Sequence, residues 1–177
     1  MNLLVGIMIC GIGCKPTSNG QTPTNIDQTI DQSSVDSTVQ LLSVYKMENG
    51  AYVVPWQFLM NVHFEEKYSD TMGMEVSLPI FNDTLRVLDG KTVVVEGFFI
   101  PVDETGDEKI VILSAFPFSQ CFFCGKAGVE SIIDILSTTK LPRMKVDSKI
   151  KFKGRLKLNR DNFNYLIYVL EEAEMVK

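Results

Sequence analysis

Two cysteines three positions apart, Cys121 and Cys124 in Ser119-Gln120-Cys121-Phe122-Phe123-Cys124-Gly125, are the residues of this chain best placed to do chemistry. Cys-x-x-Cys is the usual half-site spacing for a thiolate-bound metal, because a tight turn brings both sulfurs to one ion. Gly125 supplies the backbone freedom such a turn needs. No second motif supplies the other half. His63, the single histidine, is the first candidate for a third ligand to zinc or copper. Met72 and Met74 could add thioethers, and carboxylates, water or a second chain are the remaining ways to fill the sphere.

Two other readings of the pair stay open, a disulfide or buried thiols without chemistry and thiol-disulfide exchange with a partner. As a staple, a disulfide closing so short a loop gives only about 2 kcal/mol, against about 3 for a fifteen-residue loop. Exchange enzymes place the motif at the start of a helix in a βαβ context, whereas here it follows a strand pattern, with two phenylalanines between the sulfurs. Covalent haem needs histidine directly after the second cysteine, and position 125 is glycine. Metal binding is the first expectation.

A second constellation lies further along, where Lys149, Lys151, Lys153, Arg155 and Lys157 alternate with Ile150, Phe152, Leu156 and Leu158. This is a strand with one apolar and one cationic face. The cations would suit phosphate groups of a lipid or glycan, since surfaces of OB-type barrels bind oligomers. The plainer reading, which we prefer, is a solvated face whose lysines deter edge pairing. A formal net charge of −5 argues against a nucleic-acid partner. No Ser-His-Asp arrangement stands out around the histidine and no glycine-rich phosphate loop is present, so the chain reads as a binding or accessory module rather than an enzyme.

The elements that position these residues are mostly strands. Residues 91–100 and 109–116 are rich in Val, Ile and Phe and close at Pro101 and Pro117, with an acidic hairpin turn at 103–108. Residues 129–137 are heavily β-branched and read as a strand, 149–158 alternates, and 165–170 supplies a last strand after a turn at 159–162. Five short strands suggest an OB-like Greek-key barrel, because closure removes the edges an open sheet would expose. Earlier in the chain, 52–54 reads as a short strand, Pro55 starts a helical turn carrying Trp56 as a core anchor, 62–65 reads as a strand and 70–74 as a loop. The expected fold is therefore mainly β, a five-stranded OB-like Greek-key barrel with a short α/β N-terminal extension. The globular domain would span 41–177, with its barrel core at about 89–177.

The N-terminus speaks to location. Residues 3–13 form an apolar run too short to cross a bilayer, for which about 20 residues are needed. The small residues just before Cys14 resemble a bacterial lipobox, which would make 1–14 a lipoprotein signal peptide and Cys14 the lipidated residue. Residues 15–40 are Ser, Thr, Asn, Gln and Asp with few large apolar side chains, the composition of a disordered tether. Together these predict a lipid-anchored protein of the bacterial cell envelope, on the extracytoplasmic side, where unprotected thiols oxidise.

The succession Leu88-Asp89-Gly90-Lys91, Val93-Val94-Val95-Glu96-Gly97-Phe98-Phe99-Ile100-Pro101, Cys121-Phe122-Phe123-Cys124-Gly125 and Lys153-Gly154-Arg155-Leu156-Lys157-Leu158-Asn159 resembles an uncharacterised family of bacterial envelope lipoproteins. It also looks like a more distant group of periplasmic proteins with an OB-like core. The resemblance implies membrane attachment through the anchor and envelope transport proteins as partners, and it assigns no reaction.

Overall fold

The computed structural model describes residues 32–101 and 109–176. Cys14, the apolar N-terminal run, most of the expected tether and the acidic turn lie outside these residues. Order begins earlier than the composition suggests, because α1 (Gln32–Leu42) takes the last part of the segment read as tether.

The extension preceding the barrel contains more elements than the sequence reading found. β1 (Lys46–Glu48) and β2 (Ala51–Val53) form a hairpin closed by Asn49 and Gly50, at φ 49° and 74°. Two successive positive φ values are the hallmark of a type I′ turn, whose twist matches that of paired strands. α2 (Trp56–Leu59) starts after Pro55, and β3 (His63–Ser69) and β4 (Met74–Ile80) form a second hairpin. The expected loop at 70–74 is thus a turn, with Met74 already in a strand. α3 (Asp83–Arg86) is capped by Asn82, whose Oδ1 accepts the Leu85 N–H at 3.0 Å.

β5 (Thr92–Ile100), β6 (Ile110–Ser114), β7 (Ile132–Ser137), β8 (Lys149–Leu158) and β9 (Tyr168–Val176) pair in the order β5-β6-β7-β9-β8. A further antiparallel pairing between β8 and β5 closes the ring. β7 and β9 run parallel and the other barrel pairs antiparallel, so the fold is a five-stranded OB-like Greek-key barrel. β8 therefore has neighbours on both sides, and its lysines do not guard an edge. β9 starts at Tyr168 rather than at 165, because residues 159–167 form a loop gathered around Asn159, whose Nδ2 donates to the carbonyls of Asn162, Tyr165 and Leu166.

β5 bends across the barrel. One edge pairs with β8, while the other is divided between β2, parallel at Val93 and Val94, and β6, antiparallel at Phe98, Phe99 and Ile100. Between these partners sits Gly97, where a Cβ would lie 2.6 Å from the Ser114 carbonyl oxygen and 2.9 Å from Leu113 Cγ. The absent side chain is what allows the close approach. Trp56 lies over the same spot, with its Nε1 donating to the Glu96 carbonyl at 2.8 Å.

Alternation sends Val93, Val95, Phe152 and Leu156 into the barrel. Leu59, Leu85 and Leu88 from the extension join the same buried cluster and close one end. Tyr168 pins that junction, donating its hydroxyl to the Leu59 carbonyl at 2.6 Å. A second, smaller core of Ile100, Ile112, Ile132 and Cys121 forms on the outer face of β5, β6 and β7.

Candidate functional site

The cysteine pair roofs that outer core. After β6, Pro117 begins a single 3-10 turn at Phe118–Gln120, Cys121 is extended, and a second 3-10 turn covers Phe122–Cys124. Gly125 ends it at φ 68°, the left-handed conformation that glycine adopts without a Cβ clash. The backbone closes through Cys124 N–H to the Cys121 carbonyl at 3.2 Å and Gly125 N–H to the Phe122 carbonyl at 2.8 Å. Asp147 holds the start of the double turn, its Oδ1 accepting the Phe118 N–H at 2.7 Å. Asp147 does so from a left-handed backbone of its own, at φ 64°.

This folding brings both sulfurs to one point. Cys121 and Cys124 donate their thiols to the same Phe118 carbonyl oxygen, at 3.1 and 2.9 Å, and both thiols are free. Their surroundings differ. Cys121 is fully buried against Ile112 and Ile132, whereas Cys124 opens to solvent among Phe118, Phe122 and Phe123, which are 45%, 38% and 51% exposed. The Phe122 and Phe123 rings meet edge to face at 5.6 Å.

Opposite Ile112 on the neighbouring strand stands a carboxylate. Asp134 on β7 is buried, and its Oδ2 accepts the Leu166 N–H at 2.7 Å. Burial pushes its carboxyl above the ordinary carboxylate value, with the backbone hydrogen bond working in the opposite direction. Neither Asp134 nor Asp147 stands out in the sequence, because each acts through a backbone N–H from a segment distant in the chain.

His63 does not join the cysteines. It is exposed at the start of β3, and among the described residues no three His, Cys, Asp or Glu side chains gather where they could hold a metal ion. Met72 and Met74 are exposed on the β3–β4 hairpin. β3 pairs with β4 alone, in the extension, so the structure does not bring His63 together with the cysteine turn.

The cationic strand face is engaged by its neighbours. Arg155 reaches Glu172 at 2.7 Å and Glu171 at 3.3 Å, Lys157 reaches Glu171 at 3.4 Å, and Lys151 reaches Glu96 at 3.6 Å. Lys153 donates to the Asn49 carbonyl at 3.0 Å, and Lys149 lies 5.2 Å from the centre of the Phe98 ring. The sequence pattern shows the cations but not the acids, because Glu96, Glu171 and Glu172 arrive on β5 and β9. Three of the five cations are thus paired with glutamates, which lowers the positive charge the face presents.

A cleft of about 320 Å³ opens between the β3–β4 hairpin and the loop after β8, lined by Phe64, Pro79, Phe163, Tyr165 and Leu166 among others. Among the described residues no helix is long and apolar enough to cross a membrane.

No protein-family model and no curated protein matches the chain. Among solved structures, a DUF3299 family protein from Pseudomonas aeruginosa PAO1 is similar over 51% of this chain and 64% of that protein's chain, less than two thirds of its length. The identity is 13% and the TM-score 0.38.

Proposed function

We propose that this chain is a lipid-anchored accessory module of the bacterial cell envelope, without catalytic activity of its own, whose barrel presents Cys121 and Cys124 as half of a thiolate metal site. The observation that carries the reading is the convergence of both sulfurs on the Phe118 carbonyl oxygen. A turn that delivers two thiols to one point supplies two adjacent ligands for zinc or copper once both protons are lost. The apolar run ending at Cys14 and the polar segment after it support the membrane anchor, and envelope transport proteins are the partners the family resemblance suggests.

A second reading has its own observation. The pair is split into an exposed thiol and a sheltered one. Cys124 as thiolate would attack a partner's disulfide and release one partner sulfur as thiolate. Cys121 would then displace the second, leaving a Cys121–Cys124 disulfide and a reduced partner.

Elemental analysis of the purified protein, paired with thiol titration before and after chelation, separates the two. The metal reading expects zinc or copper in stoichiometric proportion, thiols that become titratable only after chelation, and loss of most metal in both Cys121→Ser and Cys124→Ser. A quantitative Cys121–Cys124 disulfide with no metal, and no uptake after reduction, would overturn it in favour of exchange or an inert pair.

A further inference from the structure

We infer that the missing half of the site is a second copy of this chain, so that one zinc ion is held by Cys121 and Cys124 of two copies related by a two-fold axis. The inference rests on the metal reading above and adds to it the identity of the remaining ligands.

Structural zinc takes four ligands, and an all-thiolate set is among its commonest. One chain offers two convergent sulfurs and, among the described residues, no third His, Cys, Asp or Glu beside them. A site open on one side and supplied with two ligands is completed most simply by its own image, because a two-fold axis through the metal makes each pair the complement of the other.

The surface around the pair fits such a partner. Cys121 is buried with Ile100, Ile112 and Ile132 while Cys124 is exposed, so the open side of the pair is that of Cys124. On that side Phe118, Phe122 and Phe123 stand exposed in one short segment. Apolar side chains collected around an exposed thiol are a surface that gains by being covered, and covering them also shields the thiolates from water and acid. Zinc with four thiolates carries a charge of about −2. Lys126, exposed directly after Gly125, brings one positive charge per copy to the same place.

The test is to co-express two differently tagged full-length copies, purify through one tag in mild detergent, and measure both the second tag and the zinc content. We expect the second copy to co-purify with about 0.5 zinc per chain. A chelator or Cys124→Ser in both copies should reduce co-purification at least about tenfold. Phe123→Ser should weaken it while leaving the barrel folded, as checked by circular dichroism. One zinc per chain without co-purification would overturn the dimer and leave the metal reading standing. Co-purification indifferent to chelator and to Cys124→Ser would overturn the zinc bridge. Absence of zinc in protein with free thiols would overturn both.

Discussion

The Phe118 carbonyl serves both thiols, and Asp147 holds Phe118 in place from a left-handed backbone that costs a non-glycine residue about 1–2 kcal/mol. Asp147→Gly would relieve that strain while removing the carboxylate, so its two effects should separate. Overall stability to urea should change little. Alkylation of Cys121, buried in the native turn, should accelerate about tenfold or more, since a hydrogen bond to a charged group is worth about 1.5–3 kcal/mol. Unchanged alkylation would show that the turn holds its shape without Asp147. Asp134 gives the opposite kind of test. Its raised carboxyl pKa means the folded state binds a proton more readily than the unfolded chain, so ionisation opposes folding as pH rises above the ordinary value of 3.8. Asp134→Asn, which keeps an acceptor for the Leu166 N–H, should be more stable than the native protein at pH 7. The difference should shrink as the pH is lowered towards about 4, as followed by urea midpoints.

Among the elements, β8 and β5 divide the labour of specifying the barrel. Phe152 is fully buried and Lys151 faces Glu96 across the strand pair. Phe152→Asp should abolish cooperative unfolding, since truncating a buried aromatic alone costs about 3–5 kcal/mol before a carboxylate is buried in its place. Lys151→Asp should cost about 1 kcal/mol or less, the effect of opposing two like charges at the surface. Equal damage from the two would reverse the faces assigned to β8. Gly97→Ala on β5 should lower the urea midpoint by the equivalent of about 1–3 kcal/mol, because backbone rather than a flexible side chain meets the new methyl group.

The barrel strands were legible because each displays a period of two or a β-branched run within its own residues. Asn49-Gly50, the signal for the β1–β2 hairpin, is equally local, but β1 is short and exposed and carries no alternation beside it. β4 escapes for another reason, since Pro79 and Gly73 mask a strand whose partner is His63–Ser69. The convergence of the two cysteines was visible in their spacing. Its setting was not, because burial of Cys121 comes from Ile100, Ile112 and Ile132, and the clamp on Phe118 comes from residue 147.

At the scale of the molecule, extension and barrel share one core rather than meeting as separate bodies. Leu59, Leu85 and Leu88 are fully buried with Phe152 and Tyr168, and Tyr168 is hydrogen-bonded to the extension's backbone. The sequence boundary near residue 89 is therefore no folding boundary. A fragment of 89–177 should lack a cooperative unfolding transition and bind a dye for exposed apolar surface, while 32–177 should fold. In the longer chain, Tyr168→Phe should cost about 1–3 kcal/mol, because the Leu59 carbonyl is left buried without its donor.

β9 follows β8 in the sequence and is the last strand among the described residues, yet it lies between β7 and β8. A ribosome delivers β5 to β8 before the strand that must slip between two of them, and until then the ring has a gap where its parallel pair belongs. Nascent chains paused anywhere before 168 should therefore remain protease-sensitive in the barrel strands already made. Order should arrive late and all at once, with β9 acting as the latch of a barrel whose other strands have been waiting for it.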